Sequence, residues 1–308
     1  MVDVVVYISS VANARKHTRK IECLESFAQG VRAAGGSVAV EWDYQYTPSR
    51  LAVILGWATT NTGGRNIALR KQIIAEQRRQ GHHTMCIDAS CWKYLDNHGT
   101  YLRYSLDGPF YDRSEYANCN STDAKWQEIS KNLNIHLKQQ RSLHNGYILI
   151  GMQRDGGFAM KTLDPMTWLH EKIQQIRLIT ARPICIRPHP GKYDMKDFQH
   201  WTSEKQIKHG VTILEPTQSR LVDDLQGAHS TVFFNSSASV AAVCEGVPVF
   251  VDDPSCVAWA VANKDVSKIE TPETFAREQW IYDLASAHWS DEDACAGRIY
   301  QKFLPYLV

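Results

Sequence analysis

YILIGM, residues 147–152, is an unbroken apolar run that predicts a strand buried on both faces. An amphipathic stretch over residues 164–180 follows it and predicts a helix, with Asp164 as its N-cap and Pro165 at its first position. A second buried strand is predicted at residues 183–187, and the alternation continues to residue 251. Strands and helices that alternate in this way predict a parallel sheet with helices on both faces.

The first half of the chain shows the same alternation. Apolar runs at residues 2–8, 51–57 and 84–88 predict strands. Residues 18–34 predict an amphipathic helix, which a pair of glycines ends. This half therefore also predicts a parallel sheet that is covered on both faces.

A polar, charged stretch at residues 120–145 separates the two series and predicts a linker. We therefore expect an N-terminal Rossmann-like domain at residues 1–142 that binds the acceptor. A C-terminal Rossmann-like domain at residues 143–308 would bind a nucleotide, and its last helix can cross back. Two α/β domains with parallel sheets facing a central cleft predict ligands beyond the carboxyl ends of the strands.

Composition and missing motifs exclude several classes of protein. The first apolar run is too short for a spanning helix and lacks the basic region of a signal peptide, so we expect a cytoplasmic protein, and we expect it to be a monomer. Eight cysteines without C-x-x-C spacing and twelve scattered histidines predict free thiols and no metal site. The sequence has no Walker phosphate loop, no G-x-S-x-G motif and no G-x-G-x-x-G turn, which argues against P-loop, hydrolase and NAD(P) enzymes.

Polar residues follow three predicted strands of the second half. Prolines on both sides of His189 fix its position, and a histidine beside an arginine suits a phosphate. Serines where a strand turns into a helix also favour a phosphate, although they can equally be N-caps. The alternative for His189 is an exposed loop residue. The candidate donor-binding residues are Gln153, Arg154, Gly156, Arg187, His189, Asn235, Ser236, Ser237 and Ser239.

Asp107 is the candidate general base of the first half. It follows an extended run at residues 101–105 and precedes Gly108-Pro109. At the carboxyl edge of its sheet it would face the cleft, where it could take the proton of an acceptor hydroxyl. From these residues alone, an ordinary Asp-Gly-Pro turn is the favoured alternative.

The sequence resembles GT-B glycosyltransferases with "HP" and serine motifs, among them bacterial sialyltransferases, capsule Kdo transferases and CDP-glycerol transferases. The resemblance lies in Arg187-Pro188-His189-Pro190, in residues 235–239 and in residues 245–249. Leu106-Asp107-Gly108 is similar to the acidic-Gly motif that supplies the base in that group, although Leu106 stands where a second acid is frequent. The resemblance implies a metal-independent enzyme that inverts the configuration at the anomeric carbon of the sugar.

Residues 101–108 and 153–157 also look like compact glycosyltransferases of tailed phages, which commonly modify hydroxymethylated pyrimidines in phage DNA. Residues 1–142 carry 18 Lys and Arg against 13 Asp and Glu, which suits duplex DNA as a partner. Trp57 and Trp92 are candidates for contact with a flipped base, with core packing as the favoured alternative. The candidate phosphate contacts are Arg15, Lys16, Arg65 and Arg70.

Three hypotheses follow. The leading one is a glycosyltransferase that moves a sugar from a UDP- or CMP-sugar onto a hydroxymethylated pyrimidine in DNA, with no further cofactor. The second keeps the donor and replaces the DNA by a capsular or other surface polysaccharide. The third is a non-catalytic nucleotide-binding module.

Overall fold

The computed structural model describes residues 2–11, 18–58, 64–96, 99–154, 159–160, 162–190, 201 and 210–307. The chain forms two compact units. Unit 1 consists of Met1–Trp126 and Tyr282–Val308, and unit 2 of Gln127–Ile281. The first boundary therefore lies at residue 126, where the sequence predicts one at residue 142, and the last part of the chain returns to unit 1.

Within the described residues, the strands and helices follow one another in the order expected of α/β units. They are β1 (Val2–Tyr7), α1 (Thr18–Ala33), β2 (Val38–Glu41), β3 (Ser49–Leu55), α2 (Arg65–Arg79), β4 (His83–Ala89), β5 (Tyr101–Leu106), α3 (Ala124–Leu133), β6 (Tyr147–Gly151), α4 (Pro165–Arg177), β7 (Ile184–Arg187), β8 (Val211–Ile213), α5 (Leu221–Gln226), β9 (Ala228–Phe233), α6 (Ala238–Cys244), β10 (Val249–Val251), α7 (Glu278–Ser286), β11 (His288–Ser290), α8 (Asp291–Cys295) and α9 (Arg298–Phe303).

Unit 1 is built on a six-stranded sheet in the order β11-β5-β4-β3-β1-β2. Strands β1 to β4 are parallel, as the buried apolar runs predict. Strand β5 runs antiparallel to β4, and β11 antiparallel to β5, so the prediction of a wholly parallel sheet is wrong at this side. One face packs on α1, α8 and α9, and the other on α2.

Unit 2 is built on a parallel five-stranded sheet in the order β10-β9-β6-β7-β8. Ile148 and Ile150 of β6 pack against Trp168 and Leu169 of α4. The predicted start of α4 is confirmed, because the Asp164 side chain accepts the backbone N–H of Thr167 at 2.8 Å and a proline follows it.

His288 ties β11 into unit 1 without any exposure to solvent. Its Nδ1 donates to the carbonyl oxygen of Leu284 at 2.7 Å, and its Nε2 accepts the backbone N–H of Cys91 at 3.0 Å. Burial lowers the pKa of His288 to about 3. Between pH 6.5 and about 3, the ring is therefore neutral in the folded protein while the unfolded chain protonates it.

This histidine predicts a loss of stability in acid. Below pH 6.5 the unfolded chain binds a proton that folded His288 refuses, which lowers the free energy of unfolding by about 1.4 kcal/mol per pH unit until the pH approaches 3. We expect His288→Gln to have a flatter dependence than the wild type in urea unfolding between pH 6.5 and 4. The exposed His144→Gln should follow the wild-type curve, and a His288→Gln curve parallel to it would contradict the assignment.

Candidate functional site

The sheet of unit 2 changes direction beside its first strand. The chain runs from β6 to β7 on one side and later reaches β9 on the other, so the switch point lies between β6 and β9. In open α/β sheets, ligands bind at the carboxyl ends of the strands at such a point. Gln153, just after β6, donates from its Nε2 to the Oδ1 of Asn235, just after β9. One hydrogen bond therefore joins the two loops that border the expected crevice.

Two further residues hold the Asn235 side chain in place. Its Nδ2 donates to the carbonyl oxygen of Ala159 at 2.9 Å and to the Oγ of Ser255 at 2.8 Å. Ser255 in turn donates its backbone N–H to the carboxylate of Asp253 at 2.9 Å, and its hydroxyl bonds the same group. These bonds fix the orientation of the Asn235 amide and pre-organise the two loop ends at the switch point.

The serine turn after β9 divides into available and unavailable side chains. Ser236 is half-buried and its Oγ accepts the backbone N–H of Ala238 at 3.3 Å, while Ser237 is exposed and makes no capping hydrogen bond. Ser239 is fully buried, and its hydroxyl donates to the carbonyl oxygen of Ser236 at 2.7 Å. The prediction that Ser239 contacts the donor is therefore corrected, because its hydroxyl is used within the turn.

Arg187 requires a similar correction. Its guanidinium forms an ion pair with Asp224 and donates to the carbonyl oxygen of Ser219 at 2.9 Å. The Arg187 and Asp224 side chains are 11% and 9% exposed. The arginine thus compensates a buried carboxylate instead of offering a charge to a ligand. The exposed Arg154, after β6, keeps its place as a cation at the carboxyl edge.

The half-buried His189 follows β7, while the serine turn follows β9. Since β6 lies between these strands, the two strand ends stand about 10 Å apart at the usual strand spacing. The Gln153 loop lies between them. Gly156 lies outside the described residues, as do Arg15 and Lys16 of the predicted acceptor side.

In unit 1 the switch point lies between β1 and β3. Arg70 of α2 clamps the two loops there: its Nε and one terminal nitrogen donate to the carbonyl oxygen of Ser10 at 2.9 and 2.6 Å, and the other donates to that of Trp57 at 3.0 Å. Arg70 is therefore a structural residue, which corrects its prediction as a phosphate contact. Arg65 is exposed, with its guanidinium 4.6 Å from the Tyr44 ring centre.

The two tryptophans differ in their surroundings. Trp92 is fully buried, with its ring centre 4.4 Å from that of His288. This burial agrees with core packing and removes Trp92 as a contact for a base. Trp57 is partly buried and packs against the cluster under α2.

A cavity of about 370 Å³ opens at the carboxyl ends of β3 and β4, beside the start of β5 and under α1. No local pattern in the sequence indicates this cavity, because its walls come from segments far apart in the chain. Its lining comprises Arg19, Lys20, Cys23, Leu55, Gly56, Ile87, Asp88, Ala89, Ser90, Lys93, Asp96, Gly99, Tyr101 and Leu102.

Asp88 brings a carboxylate to this cavity. One oxygen accepts from Arg103 at 2.8 Å and the other from the backbone N–H of Ala89 at 2.8 Å. The side chain is 31% exposed, so it is held in place and still accessible. Asp88 thus occupies the carboxyl edge of the sheet, which is where the sequence predicts Asp107.

Asp107 lies at the opposite edge. Because β5 is antiparallel to β4, its carboxyl end lies beside the start of β4, and the predicted position of Asp107 is wrong. One Asp107 oxygen lies 2.7 Å from the Nδ1 of His83, and the other accepts the backbone N–H of Thr84 at 3.0 Å. With Arg78 and Trp57 these residues line a second cavity of about 290 Å³. The role of Asp107 as a general base remains a prediction.

Two α/β units, each on a largely parallel sheet, agree with the predicted GT-B fold, and known structures share this architecture. The KpsC beta-Kdo 2,7 transferase of Thermosulfurimonas dismutans aligns with a TM-score of 0.57 and 12% identity over 97% of this chain and 99% of its own. The KpsC beta-Kdo 2,4 transferase of the same organism aligns at 0.56 and 12% over 92% and 90%. The predicted α/β GT-B fold class is thereby confirmed, and at this identity the likeness extends to the fold alone.

A weaker alignment, with a TM-score of 0.33, joins the chain to the UDP-GlcNAc 2-epimerase of Methanocaldococcus jannaschii. No known protein family and no curated protein matches the sequence. Within the described part of the chain, no helix is both long and apolar enough to cross a bilayer. Those same residues include no group of three or more His, Cys, Asp or Glu side chains placed to hold a metal ion.

Proposed function

We propose that the protein is a glycosyltransferase whose nucleotide-sugar donor binds at the carboxyl edge of unit 2. The observation that carries this proposal is the hydrogen bond between Gln153 and Asn235 at the switch point, on a fold shared with Kdo transferases. This is where an open α/β sheet binds its ligand. We expect a UDP- or CMP-sugar there.

Side chains at this edge of the sheet suit the phosphates of such a donor. Arg154 supplies a positive charge, His189 a ring N–H, and Ser236 and Ser237 hydroxyl groups. When the bond from the sugar to the phosphate breaks, negative charge grows on the leaving phosphate. Fixed donors at that point stabilise the charge in the transition state, so the proposed mechanism uses side chains in the place of a metal ion.

The acceptor hydroxyl must lose its proton as the sugar arrives. We assign this step to a carboxylate of unit 1 and prefer Asp88, which lines a cavity at the carboxyl edge of its sheet. Each Asp88 oxygen accepts one hydrogen bond and keeps a second lone pair for the incoming proton. Asp107, which the family resemblance indicates, is the alternative base.

Two acceptors fit this proposal. One is a hydroxymethylated pyrimidine in duplex DNA, for which the exposed Arg65 offers a phosphate contact. The other is a capsular or other surface polysaccharide, the kind of acceptor expected from the capsule-enzyme resemblance. Retardation of hydroxymethylated duplex DNA that weakens steeply with added salt would support the first. Its absence at low salt would leave the polysaccharide.

The donor is tested by thermal unfolding in the presence of UDP-, CMP- and GDP-sugars. A donor at a hundred times its dissociation constant stabilises the folded state by about 2.7 kcal/mol, so the melting temperature should rise with one of them. Arg154→Gln should weaken that donor about tenfold, since it removes one charge-assisted contact. Arg220→Gln, on an exposed arginine of the same unit, is the matched control.

Equal donor affinities of Arg154→Gln and the wild type would place the phosphates elsewhere. Release of free nucleotide from the donor separates an enzyme from the non-catalytic alternative. A module that only binds would show the thermal shift without any nucleotide release, and that result would overturn the proposed function.

A further inference from the structure

The cavity under α1 has an apolar floor. Cys23, Leu55, Ile87 and Leu102 contribute to its lining. Burial raises the pKa of the Cys23 thiol to about 12, so this sulfur is uncharged and behaves as a small apolar group. A ring that enters the cavity therefore meets hydrocarbon and a neutral thiol.

The rim of the same cavity is cationic. Arg19 is fixed by an ion pair with Asp291 at 2.5 Å and by a hydrogen bond to the carbonyl oxygen of Gly99 at 2.7 Å. Lys20 and Lys93 are exposed, and neither forms an ion pair with another described residue. Two lysine charges thus border the opening without an acidic partner in the described part of the chain.

The acids of the cavity are already engaged. Asp96 accepts the backbone N–H groups of Thr100 and Tyr101, each at 2.9 Å, and is 4% exposed. Asp88 pairs with Arg103 at 2.8 Å. The charge of Asp88 is therefore offset by a cation and that of Asp96 is stabilised by two backbone N–H dipoles, which weakens the repulsion of an anion at Lys20 and Lys93.

We propose that this cavity binds a nucleoside monophosphate unit, with its ring on the apolar floor and its phosphate between Lys20 and Lys93. Its volume of about 370 Å³ lies near the lower end of ligand pockets, which suits one such unit and not an oligomer. A sugar ring fits less well, since its hydroxyls would lie unpaired against the floor. The inference rests on the proposed function, because it names the acceptor class that this site would present to Asp88.

Binding of thymidine 5′-monophosphate by titration calorimetry tests the proposal. We expect binding that is at least tenfold tighter than that of thymidine or of inorganic phosphate alone, since each probe lacks one half of the recognition. Lys20→Gln with Lys93→Gln should weaken the nucleotide at least tenfold, because two charge-assisted contacts disappear. Lys131→Gln, on an exposed lysine of α3, should leave it unchanged.

A (dT)8 oligonucleotide distinguishes the two sources of this chemistry. Binding at least tenfold tighter than that of the free nucleotide, lost in the same double variant, would identify a nucleotide within a strand. Equal affinities would identify a free nucleotide. If thymidine 5′-monophosphate binds no better than phosphate, or binds equally to the double variant, the inference is wrong. The donor-induced thermal shift would remain, so the proposed glycosyltransferase would then need a different acceptor.

Discussion

Asp88→Asn is expected to lower the rate of sugar transfer by about 10²–10⁴, because a positioned general base contributes a factor of this size. Donor affinity should stay at the wild-type value, since the residues that we propose as donor contacts belong to unit 2. The amide keeps the size of the side chain and one oxygen acceptor, so Arg103 retains a partner. The measurement is nucleotide release from the donor, with hydroxymethylated duplex DNA as acceptor and with water alone.

Asp107→Asn is the matched control. Its carboxylate is 47% exposed and contacts His83 at the far edge of the sheet, so we expect transfer close to the wild-type rate. The reverse pattern, with Asp107→Asn inactive and Asp88→Asn active, would reinstate the base that the family resemblance indicates. If both variants lose activity and still bind the donor, the His83–Asp107 pair is also required for sugar transfer.

Arg187→Met is expected to lower the free energy of unfolding by about 3–5 kcal/mol, because it leaves the buried carboxylate of Asp224 without its cationic partner. The same change should remove only a modest part of the donor affinity, since Arg187 points its charge at Asp224. Urea unfolding, followed by tryptophan fluorescence and circular dichroism, gives the stability.

The double variant Arg187→Met with Asp224→Leu decides whether Arg187 contributes to stability or to donor binding. Replacing a buried ion pair by apolar side chains is often neutral, so most of the lost stability should return. If the double variant is stable but no longer shows the donor-induced thermal shift, Arg187 is a phosphate ligand after all. If it stays as unstable as Arg187→Met, the ion pair is not the origin of the effect.

Strands β1, β6, β7 and β10 were predictable because each is a short, largely apolar run, which is the composition of a strand buried in a parallel sheet. The direction of β5 is predictable from the length of the link that precedes it. Only eleven residues separate β4, which ends at Ala89, from β5, which begins at Tyr101. A parallel connection requires a crossover of a dozen or more residues, usually with a helix, so this short link indicates an antiparallel neighbour.

Other features leave no local trace in the sequence. Strand β11 has three residues, too few for any periodicity, and its place beside β5 depends on the burial of His288. The partner of Arg187 lies 37 residues away, so the sequence shows an arginine before a Pro-His-Pro motif without the carboxylate that claims it. The positions of Gln153 and Asn235 just after β6 and β9 were predictable, because strand ends are visible in the sequence.

The return of Tyr282–Val308 to unit 1 sets an order for biosynthesis. A ribosome finishes every residue of unit 2 before it makes β11 and α8, which unit 1 needs to cover the free side of β5 and to hold Arg19. Unit 2 can thus fold while unit 1 still has an open sheet edge at β5, a state in which nascent chains are prone to aggregate. We therefore expect unit 1, and not unit 2, to depend on chaperones during synthesis.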